Sequence, residues 1–374
     1  MQTCEVSRVR VAFVIDRYLG RGAGTEGQLR ELACQLRERG VLCRLLVLQS
    51  SEYLENAGFP APWQAVGRDR LADPRTWWQV WREGRRLRRD GFRVAHVFFN
   101  DASILCPPMF ALAGLRTVIS RRDMGFWYTT GYIRALRVTR RWVRACVANS
   151  TAVADVTCRT EGIPRKAVRV IYNGMSMTPL ASDPVPDLKA FCTPGSVTVM
   201  VVANIRPIKR IGDLIEAAGR LREEHPCLRF VVVGGGDSHP LQRLARELGI
   251  ADRVLFLGSR DDVASCLAYA DIGALCSESE GFSNAVMEYM RAGLPTVCTN
   301  AGGNPEAIEH GVCGLLYPVG DVDALTAHIG TLARDSNLRR RLGAAAALQA
   351  FERFSIERMV SDHVALYCQV AEER

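Results

Sequence analysis

Short apolar runs alternate with longer stretches of helical periodicity along the whole chain. In the first half, runs at 9–15, 42–48, 94–99, 116–120, 145–148 and 168–171 read as strands. Further runs at 197–203, 229–233, 253–257, 272–276 and 295–299 follow in the second half. Such alternation predicts βαβ units and parallel sheets, an α/β fold. The rhythm breaks between about 174 and 195, where Pro179, Pro184, Pro186 and Pro194 stand among small and polar residues. A chain of 374 residues also exceeds what one core usually organises. The expectation is two doubly wound Rossmann-like domains, 1–180 and 196–354, joined by a linker at 181–195. A last helical stretch, 355–374, is expected to cross back to the first domain.

The residues with chemical character gather where the second-half strands end. Asn204, Arg206 and Lys209 follow the first of these strands, Gly234 to Asp237 the second, and Ser259 and Arg260 the third. After the fourth comes Glu280-Gly281-Phe282-Ser283-Asn284-Ala285-Val286-Met287-Glu288, which opens a helix ended by Gly293 and Pro295. Asn300, Gly302, Gly303 and Asn304 follow the fifth. Loops at the carboxyl edge of one parallel sheet converge. Together they offer cations for a diphosphate, a helix start, glycines that admit close approach, and carboxylates for sugar hydroxyls. Glu288 stands out, because its helix is apolar on nearly every side and a carboxylate there needs a partner.

Charge is uneven. Residues 1–185 carry 29 Lys and Arg against 16 Asp and Glu, whereas the remainder carries 19 against 24, within a net charge of +8. Arginines crowd 82–93 and 134–144, interleaved with Trp81, Leu87, Leu136 and Trp142. Such stripes are either solvated helix faces or a surface for an anionic membrane or an acidic acceptor. The 13 cysteines, with no Cys-x-x-Cys pair and many inside apolar runs, fit reduced core thiols in a cytoplasmic protein rather than a disulfide framework or zinc site. No apolar run approaches the roughly 20 residues of a membrane-spanning helix, so membrane contact would be peripheral, at the inner face.

These residues resemble the retaining GT-B glycosyltransferases of the group one family (family 4 type). EGFSNAVMEYMRAGLPTVCTNAGGNPEAI (280–308) is similar to the family's donor-site signature, and VGGGD (233–237), RVLFLGSRDDV (253–263) and GLLYPVGD (314–321) fall in the expected order. The resemblance implies two Rossmann-like domains facing across a cleft, whose closure excludes water. It also implies a nucleoside diphosphate sugar donor, retention of anomeric configuration and no bound metal or cofactor. Glu288 would hold ribose hydroxyls and Glu280 would lie beside the transferred sugar. Gly281, Phe282, Ser283 and Asn284 would meet the diphosphate, with Ser259 and Arg260 near the base. Lys209 matches the family lysine. Asn204 stands where an arginine is common, so Arg206 is expected to reach the phosphate instead. In the first domain a histidine before an aspartate is common, but this chain reads Arg121-Arg122-Asp123. Asp123 remains a candidate on the acceptor side or a turn residue.

Gly22-Ala23-Gly24-Thr25-Glu26-Gly27 matches the G-x-G-x-x-G dinucleotide fingerprint. Its glycines arrive late after the first strand, and Gln49-Ser50 rather than an acid ends the second. It is read as the family's glycine-rich loop, with Gly24 facing the donor phosphates. His96, inside an apolar strand, reads as a satisfied core histidine, and Asn173-Gly174 as a turn.

The expected activity is sugar transfer from a nucleoside diphosphate sugar, with UDP as the nucleotide, to a carbohydrate or lipid-linked hydroxyl in surface polysaccharide, lipopolysaccharide or glycolipid synthesis. Lys209 and Arg206 would neutralise the leaving diphosphate. Competing readings are an NAD-dependent oxidoreductase, a non-catalytic sugar-nucleotide or membrane-surface binding protein, and an epimerase. No nucleic acid partner is expected.

Overall fold

The computed structural model describes residues 9–20, 24–176 and 183–372. It divides into two units: unit 1 holds residues up to Gly174 together with Ile356 onward, and unit 2 runs from Met175 to Ser355.

Unit 1 is built on a parallel sheet of β1 (Arg10–Ile15), β2 (Leu42–Val47), β3 (Trp63–Ala65), β4 (Val94–Val97), β5 (Arg116–Arg121), β6 (Val143–Ala148) and β7 (Val168–Val170), in the order β3-β2-β1-β4-β5-β6-β7. Strand β1 is buried on both faces, as a helix-covered parallel sheet requires. Val11, Phe13 and Ile15 face one core, whereas Ala12 and Val14 face another. The first core is closed by the helices Gly24–Glu38 and Ile356–Glu372, the second by Pro74–Arg89 and Asn100–Ala113. The last helix supplies Ile356, Met359, Val360, Leu366 and Tyr367 to the first core.

Unit 2 repeats the plan with β8 (Val197–Val202), β9 (Leu228–Val233), β10 (Val254–Gly258), β11 (Ile272–Leu275), β12 (Thr296–Thr299) and β13 (Gly314–Tyr317), ordered β10-β9-β8-β11-β12-β13. Val199 and Val201 pack to one side and Met200 to the other, against Tyr289.

Two strands escape the hydrophobic pattern, β3 and β13. Both are sheet edges of three or four residues, flanked by proline or glycine, and none of the β3 residues is fully buried. The expected linker is also more structured than its prolines suggest. Pro186–Phe191 is a helix, and Val185 and Leu188 are buried in a core of unit 2. Pro179 lies outside the described residues.

Candidate functional site

In unit 2 the strand order reverses between β8 and β11, and at such a switch point the loops leaving the two strands diverge and leave a crevice. Lys209 closes the turn of 3-10 helix that follows β8, and Glu280 lies in the loop after β11. Glu278 N donates to Ile208 O at 2.9 Å, which ties the two loops together. Lys209 Nζ donates to Glu280 Oε1 at 2.6 Å. Both side chains are largely but not wholly covered, at 25% and 11% exposure. The pair therefore remains within reach of a ligand.

Glycines shape the surrounding loops. At Gly302, with φ of +54°, a Cβ would stand 1.7 Å from Glu280 O, so only glycine lets the loop after β12 lie against that carbonyl. Gly303 N donates to the same carbonyl at 3.2 Å. At Gly234, a Cβ would stand 2.0 Å from Ala203 O. Beside it, Gly235 N donates to Asn204 Oδ1 at 3.2 Å, and Ser259 lies next to Gly235. Asn204, Gly235 and Ser259 thus form a second group at the same sheet edge. A cavity of about 320 Å³ opens here, lined by Ile205, Gly234, Gly236, Phe256 and Gly258 among others.

The helix Asn284–Arg291 leaves the switch point with Ser283 as its cap, Ser283 Oγ accepting from Val286 N at 3.4 Å. Gly281 and Phe282 are buried just ahead of it, the Phe282 ring packing edge-on against Phe354 at 5.1 Å. Glu288 is half-buried and, among the described residues, its carboxylate has no hydrogen-bond or ion-pair partner. Burial drives its carboxyl up to about 7, only partly opposed by the Arg291 charge.

Two expected cations behave differently from Lys209. Arg206 is exposed ahead of the 3-10 turn. Arg260 is held by its neighbour, Nε donating to Asp262 Oδ1 at 2.7 Å, which leaves less of its guanidinium for a ligand. Sequence reasoning passed over Ser277, two residues after β11, whose buried Oγ lacks a partner among the described residues. An apolar run ending in serine gives no signal of this.

Unit 1 carries its own polar edge. Asp16, directly after β1, accepts from the N–H groups of Asn100, Asp101 and Ala102 at 3.2, 3.2 and 2.7 Å, and its burial raises it to about 6. It thereby caps the helix Asn100–Ala113, whose preceding residue Phe99 is held at φ +64°. The sequence signal was an aspartate at a strand end, not taken up as a site. Asp123 is committed locally: it accepts from Gly125 N at 2.7 Å and from Trp127 Nε1 at 3.0 Å, the contacts of a turn residue. Arg121 forms a buried two-pronged pair with Glu161, Nε and Nη2 donating at 2.5 and 2.9 Å. Arg122 donates to Asn173 Oδ1, and burial lowers it to about 10 despite the nearby Glu26.

Gly24 opens the helix Gly24–Glu38, while Gly22 and Ala23 lie outside the described residues. Strand β1 ends at Ile15, so the tight strand-to-helix turn of a dinucleotide fingerprint is not formed. His96 is fully buried, its Nδ1 paired with Tyr367 Oη at 2.7 Å and its Nε2 with Ser120 Oγ at 2.8 Å, as a core histidine should be. Gly174 is more than a turn. It exchanges two 3.0 Å hydrogen bonds with Gln28, and a Cβ would meet Ile356 Cα at 2.9 Å. Among the described residues the cysteines are all free, and no helix is long and apolar enough to cross a membrane.

Comparison with known proteins matches this arrangement. Residues 193–349 match the model of the Glycosyl transferases group 1 family, and residues 22–178 match Glycosyltransferase Family 4. N-acetyl-alpha-D-glucosaminyl L-malate synthase of Bacillus anthracis is 32% identical over 209 residues, 55% of each chain. The Vi polysaccharide biosynthesis protein VipC/TviE of Salmonella typhi is 32% identical over 215 residues, 53% of this chain and 36% of that one. The chain thus spans about half or less of the length of these relatives. Anabaena Alr3699/HepE, solved in complex with UDP, superimposes with a TM-score of 0.84 at 21% identity, covering 96% of this chain and 100% of that one. With two consecutive family models spanning most of its length and the fold to match, the chain belongs to the group 1 glycosyltransferases of GT-B fold.

Proposed function

We propose that the protein is a retaining hexosyltransferase that takes a sugar from a UDP-sugar and places it on a hydroxyl of a carbohydrate or lipid-linked acceptor in surface polysaccharide or lipopolysaccharide synthesis. The observation that carries this reading is the Lys209–Glu280 pair at the switch point of unit 2, followed by a helix on which the half-buried Glu288 carboxylate has no hydrogen-bond or ion-pair partner among the described residues. A diphosphate brought to the start of the helix Asn284–Arg291 gains from the helix dipole and from Lys209, with Arg206 as a further cation. Glu280, relieved of part of its partner, is then free to accept hydroxyls of the sugar. Glu288 gives two acceptor oxygens to the ribose diol, which supplies the partner its burial demands. In the transfer the bond from the anomeric carbon to the β-phosphate oxygen breaks. A bond from that carbon to the acceptor oxygen forms on the same face, and the acceptor proton passes to the departing phosphate. Lys209 stabilises the charge that grows on the diphosphate.

Support for the nucleotide comes from the UDP complex of the Anabaena neighbour, and for the acceptor class from the polysaccharide relative. The test is thermal unfolding with UDP, GDP, ADP and NAD titrated separately. UDP is expected to raise the midpoint in proportion to ln(1 + [L]/Kd), with NAD inert. A shift with NAD alone would overturn the reading.

A further inference from the structure

Strands β4, β5 and β6 lie side by side, and their amino ends bring arginines together that are scattered in sequence. Arg93 precedes β4, Arg116 starts β5, Arg141 and Arg144 flank the start of β6, and Arg88 joins from the last turn of the helix Pro74–Arg89. These five, with Trp142, line a cavity of about 300 Å³, at the lower end of the roughly 300–1,000 Å³ range of small-ligand sites. Strand β5 runs from Arg116 to Arg121, so about 17 Å of extended chain separates this cavity from the carboxyl edge where Asp123 lies. It is therefore not part of the edge described above.

Its electrostatics are unbalanced. Some arginines elsewhere on the surface pair with carboxylates, as Arg44 does with Asp90 and Arg86 with Glu83, and others, such as Arg137 and Arg159, donate to backbone carbonyls. None of the five pairs with a carboxylate among the described residues. Arg116 Nη1 donates to Ala371 O at 2.6 Å, and Arg141 Nε donates to Val138 O at 2.9 Å while its guanidinium lies 5.2 Å from the Trp142 ring centroid. These contacts fix two of the forks without neutralising them. Converging guanidinium groups around a concave site suit phosphate, whose oxygens accept from several forks at once. Leu112, at 69% exposure, follows the lining residue Ala111, and Val138, at 51%, accepts from Arg141 through its carbonyl.

From this geometry we propose a phosphate-binding pocket at the amino edge of the unit 1 sheet, taking the phosphate mono- or diester of a soluble metabolite or of a lipid headgroup. It stands whether or not the donor reading does, because it shares no residue with unit 2.

The test compares the full chain with an Arg93→Gln/Arg144→Gln double variant. Both residues are exposed, so the melting temperature should not move, and UDP binding, read in parallel, should be equal in the two proteins. One arm titrates inorganic pyrophosphate by calorimetry with UDP in excess. The other sediments the protein with vesicles of phosphatidylglycerol and phosphatidylcholine, against phosphatidylcholine alone. A loss of about tenfold in pyrophosphate affinity, without vesicle binding, supports a soluble phosphate ligand. A comparable loss of binding confined to anionic vesicles supports the lipid headgroup. Identical behaviour of the two proteins in both arms overturns the pocket.

Discussion

Lys209 Nζ and Glu280 Oε1 lie 2.6 Å apart although 71 residues separate them, because β8 and β11 are neighbours in the sheet. In the absence of substrate each group is the other's counter-ion. Lys209→Ala is expected to reduce sugar transfer by about 10²-fold or more, since it removes a charge aimed at the leaving group. The fold should survive, because a partly exposed pair contributes at most about 1 kcal/mol. Steady-state rates and circular dichroism on the purified variant check both halves of this expectation.

Glu288 predicts a pH dependence. Its carboxyl titrates at about 7 in the folded protein against an ordinary value of 4.5. The folded state therefore binds more protons than the unfolded state between those values, and stability falls as pH rises through that window. Glu288→Gln should match the parent near pH 4 and exceed it near pH 8, by up to roughly 3 kcal/mol. Ribose hydroxyls favour the ionised carboxylate, so the parent's UDP affinity should increase from pH 6 to pH 8 while the variant's stays flat. Urea denaturation and calorimetry across that range test the pair of statements, and a pH-independent UDP affinity in the parent would remove Glu288 from the donor site.

Gly302 offers a backbone test. A methyl group there would stand 1.7 Å from Glu280 O at a positive φ. Gly302→Ala should lower stability by about 2–4 kcal/mol and, by displacing the Glu280 loop, cut sugar transfer at least as much as Lys209→Ala does. Unchanged sugar transfer would mean that the position of Glu280 matters little.

In unit 1, Arg121 and Glu161 are 5% and 1% exposed and held by two hydrogen bonds, with Tyr128 Oη donating to Glu161 as well. Removing one partner leaves the other charge buried. Arg121→Ala is expected to destabilise the protein by about 3–5 kcal/mol, a loss that denaturant titration reads directly, whereas Arg134→Ala, at an exposed residue, should change little.

Much of this architecture was legible in the hydrophobic pattern because buried parallel strands are continuous apolar runs. Phe13 and Val14 face opposite cores, yet both are apolar and mark β1 clearly. Two edge strands, Trp63–Ala65 and Gly314–Tyr317, lack that mark and went unread, whereas the edges Val168–Val170 and Val254–Gly258 carry it. At the site, the residues after β8 and β11 could be named from sequence, since strand ends locate them. Their direct pairing could not, because it depends on strand order. Arg260 differs, because its partner Asp262 is only two residues away and the pairing depends on the local turn rather than on strand order. Strand order also explains the amino-edge arginines, which read as two separate helix faces until the order β4-β5-β6 brings them together.

The central claim is that the switch point of unit 2 binds a nucleoside diphosphate sugar and that Lys209 drives departure of the diphosphate. Mass spectrometry of reactions containing a panel of UDP-, GDP- and ADP-sugars and mixed saccharide and glycolipid acceptors tests it most directly. The account predicts a glycosylated product and free UDP with the parent chain, and about 10²-fold less of both, or lower, with Lys209→Ala. Equal product from both proteins, or turnover of no donor by the parent, would contradict it.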